Sequence, residues 1–202
     1  MRNFDRLDAF LDKRLNDIYP EPHGEPSVSI MKETIPQIIE KYEINQGAKV
    51  LDVGCGNGQA LRLFRELGCI ATGVGFGEEA ANARMEGFDI IEEDMSFLNI
   101  GNDIFDVVWC RHVIEHSIFP FFTINEMYRI LKKAGIFYME VPAPETNCQH
   151  ENNVNHYSVL GYKNWVQLLN RTGFEIIKAY TIEFTVPAGP DKYFAYQCRK
   201  TP

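Results

Sequence analysis

No apolar run in this 202-residue chain approaches the roughly 20 residues that a membrane-spanning helix needs. Positive charge is scarce as well. Lys and Arg number 20 against 28 Asp and Glu, a net charge of −8, and no basic run exceeds two residues. An acidic surface repels phosphate backbones, so nucleic acid is not an expected partner. Cysteine occurs five times, at 55, 69, 110, 148 and 198, and never as Cys-x-x-Cys. The odd count and the missing pair argue against a disulfide framework or a zinc knuckle, and for a reducing compartment. MRNFDRLDAF at the N-terminus is charged throughout and has no signal-like apolar core. These features point to a soluble, cytoplasmic protein. There is no internal repeat or low-complexity segment, and the length suits one core.

The order of elements is more informative. Phe4, Leu7, Leu11, Leu15 and Ile18 recur at helical spacing, which predicts an amphipathic helix over 4–18. PEPHGEP is a turn-rich linker, and a second helix is predicted over 28–43, with Pro36 either bending it or marking its start. From residue 48 short buried runs alternate with helical ones. AKVLDVG, CIATGVG, FDIIEED, IFDVVWC and IFYMEVP read as strands. QALRLFRELG, EEAANARMEG and FFTINEMYRILKKAG read as the helices between them, and 160–172 as a later helix. That alternation predicts right-handed βαβ units and a mostly parallel sheet. FEIIKAYTIEFT and KYFAYQCRK follow one another with only VPAGPD between them, so they read as an antiparallel hairpin. The expected fold is α/β, a doubly wound sheet of seven strands with an antiparallel terminal hairpin, preceded by N-terminal helices.

LDVGCGNGQA joins the first strand to its helix. Glycines at 54, 56 and 58 let a backbone pass close to a ligand at a helix start. The dinucleotide fingerprint would need glycine at 59, where Gln59 stands. Asp52 beside the loop would repel a pyrophosphate and attract an ammonium group. The loop has no phosphate-binding lysine, and no Ser-His-Asp arrangement is present, which sets aside P-loop and hydrolase readings.

LDVGCGNGQ resembles the first motif of class I S-adenosylmethionine-dependent methyltransferases. FDVVWCRHVIEH resembles their fourth-strand motif and ILKKAGIFYMEVP the segment after it. HYSVLGYKNWVQLLNRTGFEI resembles the late helix and sixth strand of small-molecule members such as the quinone-biosynthesis type. The likeness runs from about 48 to 199, with the motifs in family order. It implies a Rossmann-like core over 46–202 and a helical segment over 1–45 that either covers the cofactor as a lid or serves as a packing appendage or dimer contact. It also implies residue roles. Gly54, Cys55, Gly56 and Gly58 would pack against the methionine part of the cofactor, and Asp52 would organise its ammonium end. Asp94 would meet the adenine amino group and Met95 would cover the ring. Cys110 and Arg111 would turn their backbone toward the sulfonium and amino-acid end. Phe76 either stacks on adenine or packs as a surface aromatic.

One position departs from the family pattern. ATGVGFGEEA places Gly75 where these enzymes usually carry an acid for the ribose hydroxyls. Either Glu78 or Glu79 reaches back, or water and the GFG backbone serve the ribose, or the cofactor has changed or been lost.

Methyl transfer needs a base only when the acceptor must lose a proton. His112 and His116 in RHVIEHS lie just past the fourth strand and are the candidates. HENNVNHY supplies His150, Glu151, His156 and Tyr157 from a long polar loop, and His150, His156 and Tyr157 are the candidate acceptor-binding residues. Tyr19 and His23 in the linker are further candidates to line the pocket. The histidine and acid spacings match no tight metal-ligand motif, so no metal is expected. The expected function is methyl transfer from S-adenosylmethionine to a small-molecule acceptor, with S-adenosylhomocysteine as product. The competing reading is a non-catalytic domain that binds a nucleoside ligand or a partner protein.

Overall fold

The computed structural model describes residues 4–15 and 24–201. Helices α1 (Asp5–Leu15) and α2 (Ser27–Lys41) come first. Strand β1 (Lys49–Val53), α3 (Gln59–Glu66), β2 (Ile70–Val74), α4 (Gly77–Met85) and β3 (Asp89–Ile91) follow. Then come β4 (Phe105–Arg111), α5 (Pro120–Ile130), β5 (Leu131–Pro142), α6 (Tyr162–Thr172), β6 (Phe174–Val186) and β7 (Gly189–Lys200). The strands form one sheet in the order β3-β2-β1-β4-β5-β7-β6. Neighbours from β3 to β5 are parallel, and β7 runs antiparallel to both β5 and β6. The expected doubly wound sheet with its antiparallel hairpin is therefore present.

Alternation along the strands divides the core. Leu51, Val53, Val108, Cys110, Phe137, Met139, Val141, Phe194 and Tyr196 form one buried cluster with Ile124 and Met127 of α5 and Trp165 and Leu169 of α6. The opposite face carries Val50, Val107, Trp109, Ile136, Tyr138 and Ala195, buried with Met31, Ile35 and Ile38 of α2 and Ala60 and Phe64 of α3. Trp109 stacks on Tyr138 at 4.3 Å between ring centroids, and Phe64 meets Trp109 edge-on. Ile35 and Ile38 are fully buried, so α2 is a layer of the core. Pro36 lies inside α2, and the helix runs through it from Ser27. Pro36 is therefore not the start of the helix.

The main departures from the sequence reading are in the third strand, at the end of α5 and in the hairpin turn, and part of one predicted helix is not described. The first helix spans Asp5–Leu15, and residues 16–18 of its predicted span lie outside the described residues, as do Tyr19 and His23. The third strand is three residues rather than seven, because Asp94 opens a turn: its carboxylate accepts from Ser96 N and its carbonyl from Phe97 N. Helix α5 stops at Ile130 instead of continuing through KKAG. Leu131 pairs with Phe105, Ile136 pairs with Val107, and the four residues between bulge out with Ala134 at φ +61°. The hairpin turn is shorter than VPAGPD, since Val186 already pairs with Gly189.

Candidate active site

The same sheet face that is apolar at its centre becomes charged at the carboxyl edge. In β1 Val50 gives way to Asp52; in β4 Val107 and Trp109 give way to Arg111; in β5 Ile136 and Tyr138 give way to Glu140. Parallel register aligns these ends, with Asp52 beside Trp109 and Arg111 beside Glu140. Sheet order reverses between β1 and β4, which is where open α/β sheets leave a crevice for a ligand. Helix α2 seals the apolar part of the face, and its Ser27, Val28 and Met31 overhang the charged part. The cavity measures about 190 Å³ and is partly open to solvent.

Glu140 is fully buried and organises the wall. It accepts from Arg111 Nε at 2.6 Å, His112 Nε2 at 3.0 Å and Tyr138 OH at 2.5 Å. Burial alone would lift its carboxyl. The hydrogen bond from His112 and the Arg111 charge outweigh that and hold it below the ordinary carboxylate range. His112 shows the converse balance: burial opposes its charge, but contacts with Glu115 and Glu140 prevail and raise its pKa to about 9. At neutral pH His112 is thus a cation and a hydrogen-bond donor. It sits at φ +54°, a left-handed conformation that costs a side-chain-bearing residue energy and that persists here under tertiary constraint. Glu115 is fully buried, and His112 Nδ1 lies 3.6 Å from its carboxylate, beyond hydrogen-bond range.

Asp52 faces the cavity and is nearly inaccessible to solvent. Burial raises its carboxyl to about 8 despite the Arg111 charge. Arg111 Nη2 and Asn57 Oδ1 are buried without a hydrogen-bond partner, and both residues line the cavity. A donor and two acceptors placed this way suit a zwitterionic amino-acid group, which would bring the missing partners. The methionine end of S-adenosylmethionine is such a group, so the residues present fit that cofactor.

The glycine loop has its own packing logic. Gly54 is at φ +74°, and a Cβ there would lie 2.1 Å from Val113 Cγ2. Gly54 N and Cys55 N both donate to Val74 O, which ties the loop to β2. Cys55 is buried, and burial together with the Asp52 charge lifts its thiol to about 12. A Cβ on Gly75 would lie 3.1 Å from Cys55 Sγ, a contact tighter than ordinary packing. Of the two glutamates after it, Glu78 is exposed, and Glu79 is half-buried and near enough to act on the Cys55 thiol.

Among the residues singled out from sequence, Asp52, Gly54, Cys55, Arg111, His112, His150 and His156 line this one cavity. Gly56, Gly58, Gly75, Phe76, Asp94, Met95, Cys110, His116 and Tyr157 do not. The Cys110 side chain points into the opposite core cluster, and Met95 packs against that cluster. Phe76 precedes α4 and is partly exposed, as is Tyr157. His116 is brought against His156, with ring centroids 4.8 Å apart. Its Nδ1 faces Asn155 O at 3.0 Å, while His156 Nδ1 faces His150 O at 2.9 Å. Trp109, Glu140, Tyr138 and Tyr193 were not singled out. Glu140 had a readable signal, a lone acid inside the apolar run IFYMEVP; the others had none.

Comparison with known proteins agrees with this architecture. Residues 28–179 match a family model described as a methyltransferase domain. The malonyl-[acyl-carrier protein] O-methyltransferase of Enterobacter lignolyticus is 24% identical over 57% of this chain and 47% of its own length. The ubiquinone biosynthesis O-methyltransferase of Pseudomonas entomophila is 32% identical over 47% of this chain and 45% of its own. The chain thus spans about half the length of the curated relatives it matches. A SAM-dependent methyltransferase from Archaeoglobus fulgidus superposes with a TM-score of 0.72 at 19% identity, over 97% of this chain and 100% of that one. No helix among the described residues is long and apolar enough to cross a membrane. With the family model covering most of the chain, a seven-stranded sheet that superposes on such an enzyme and the glycine loop at the point where strand order reverses, the chain belongs to the class I S-adenosylmethionine-dependent methyltransferases.

Proposed function

We propose that this chain transfers the methyl group of S-adenosylmethionine to a small-molecule acceptor, by in-line displacement, at the charged edge of β1, β4 and β5. The observation that carries the reading is the pairing of buried Asp52 with the partnerless Arg111 Nη2 across one cavity. Asp52 and Asn57 would take the cofactor's ammonium group, and Arg111 its carboxylate. The bound cofactor supplies an activated methyl group and its leaving group, so the protein's share is positioning and exclusion of water. Gly75, Phe76, Asp94 and Met95 are assigned to the nucleoside end, and residues 1–45 to the cover of the site.

His112, held as a cation by two acids, is not a base at neutral pH: its Nε2–H is taken by Glu140 and its Nδ1 faces Glu115. Where the acceptor carries a hydroxyl, the base role is assigned to His116, with His156 packed edge-on against its ring. A backbone carbonyl at Nδ1 of each ring places the ring proton there, and the Nε2 of His156 accepts from Asn153 Nδ2 at 3.2 Å. His150 and Tyr157 are assigned to acceptor contact.

Calorimetric titration with S-adenosylmethionine and S-adenosylhomocysteine tests the cofactor half, and formation of S-adenosylhomocysteine with candidate hydroxyl acceptors tests the rest. Micromolar binding that Asp52→Asn weakens by roughly tenfold or more is expected. Absence of binding up to millimolar ligand would leave the competing reading, a non-catalytic domain.

A further inference from the structure

Outside the charged wall, the fold assembles a second set of donors that linear spacing did not suggest. Cys148 and His150 come from the loop after β5, and Asp191 from the start of β7. One ligand atom of each lies within 4.8 Å of the other two. His150 Nε2 is 3.1 Å from both carboxylate oxygens of Asp191. A tetrahedral ion with bonds of about 2.0 Å to nitrogen and oxygen holds such atoms about 3.3 Å apart, so little movement is required. Asp191 is buried, and its Oδ1 also accepts from Lys192 N, which fixes the carboxylate. Gln149, between the two loop ligands, takes φ +50°, and its neighbours on both sides converge on Asp191. Backbone bonds from Asn147 N to Pro190 O and from Ala143 N to Lys192 O clip the loop to β7.

We propose that Cys148 Sγ, His150 Nε2 and the Asp191 carboxylate form a site for a zinc-class divalent cation. A thiolate, an imidazole and a carboxylate suit Zn²⁺ or Co²⁺, while Mg²⁺ and Ca²⁺ prefer all-oxygen sites. On binding, Cys148 releases its thiol proton to solvent and His150 carries its ring proton on Nδ1. The ion joins the loop to β7 at a residue, His150, that also lines the cavity. It therefore fixes part of the acceptor wall. The fourth coordination position is left to water or ligand.

The test uses the full chain with reduced thiols, titrated with Co²⁺ and then Zn²⁺, without cofactor, so its outcome is independent of the methyl-transfer reading. One equivalent of Co²⁺ should bind with a thiolate-to-cobalt charge-transfer band, and Zn²⁺ should displace it. Cys148→Ser should abolish the band. It should also weaken Zn²⁺ binding by more than the roughly 10–100-fold typical of losing an outer-shell partner. Affinity should rise with pH as the ligand protons are released. Asp191→Asn, checked for folding by circular dichroism, should weaken binding while leaving the band. Absence of a charge-transfer band in the native chain, or a band that survives Cys148→Ser, would overturn the proposal. So would binding that survives Cys148→Ser and is lost in His156→Ala. That result would place the ion at Glu115, His116 and His156, whose donor atoms also lie within 4.8 Å of one another.

Discussion

At the scale of single residues, the charged wall makes stability depend on pH with a definite sign. The folded pKa of His112 is about 9, above its ordinary 6.5. Its contribution is therefore complete below pH 6.5 and lost as pH rises through 9. Asp52, raised from 3.8 to about 8, moves stability the same way over that window. His112→Asn keeps a residue type that tolerates the left-handed backbone and removes the charge. Its melting temperature should fall below that of the native chain at pH 6 and converge with it near pH 9 to 10; a gap independent of pH would count against the charged imidazole. The Gly75 turn gives a second expectation. With Cys55→Ala making room, Gly75→Asp should tighten S-adenosylhomocysteine binding about tenfold to a hundredfold, the worth of a charge-assisted hydrogen bond at a desolvated site. Glu79→Ala in the native background should weaken it by a comparable factor. Calorimetry that detects neither change would remove this turn from the ribose site. Asp52, Gly54 and Arg111 were readable in sequence because each belongs to a contiguous loop or strand end. Tyr193 and Trp109 were not, since only the folded sheet brings Tyr193 against His112 and only strand register sets Trp109 beside Asp52.

Element order was legible for a related reason. Strand and helix alternate in period from residue 48, and each period change marks a boundary. What sequence missed lies where pairing overrides local preference. KKAG reads as helix, yet Leu131 is taken by Phe105 and the next four residues bulge around the turn at Ala134. The N-terminal helices read as a lid or an appendage, and neither reading placed Ile35 and Ile38 of α2 in one buried cluster with Val50, Phe64 and Trp109. Ile38→Ala should therefore cost about 2–5 kcal/mol in urea unfolding, as for a residue of the central core. A loss below 1 kcal/mol, on the order of a surface substitution, would mean that α2 is only loosely laid on the sheet.

For the molecule as a whole, a ligand that binds only the folded state reports on the entire site at once. S-adenosylhomocysteine at 100 times its dissociation constant should add about 2.7 kcal/mol. For a chain of this size that is a rise of about 5–10 °C in melting temperature, measurable by differential scanning fluorimetry. No shift at millimolar ligand would disprove cofactor binding by the isolated chain. The strand order β5-β7-β6 has a further consequence, for synthesis on the ribosome. Strand β7 is made after β6 but lies inside it, paired on both edges. A nascent chain that has reached Val186 already carries the glycine loop and every strand of the parallel sheet, yet β5 still presents a bare backbone edge and β6 has no neighbour. The cavity lining, which draws Tyr193 from β7, is then incomplete. Until the 12 residues of β7 emerge, the chain holds an adhesive backbone edge that a chaperone or a second nascent chain can occupy.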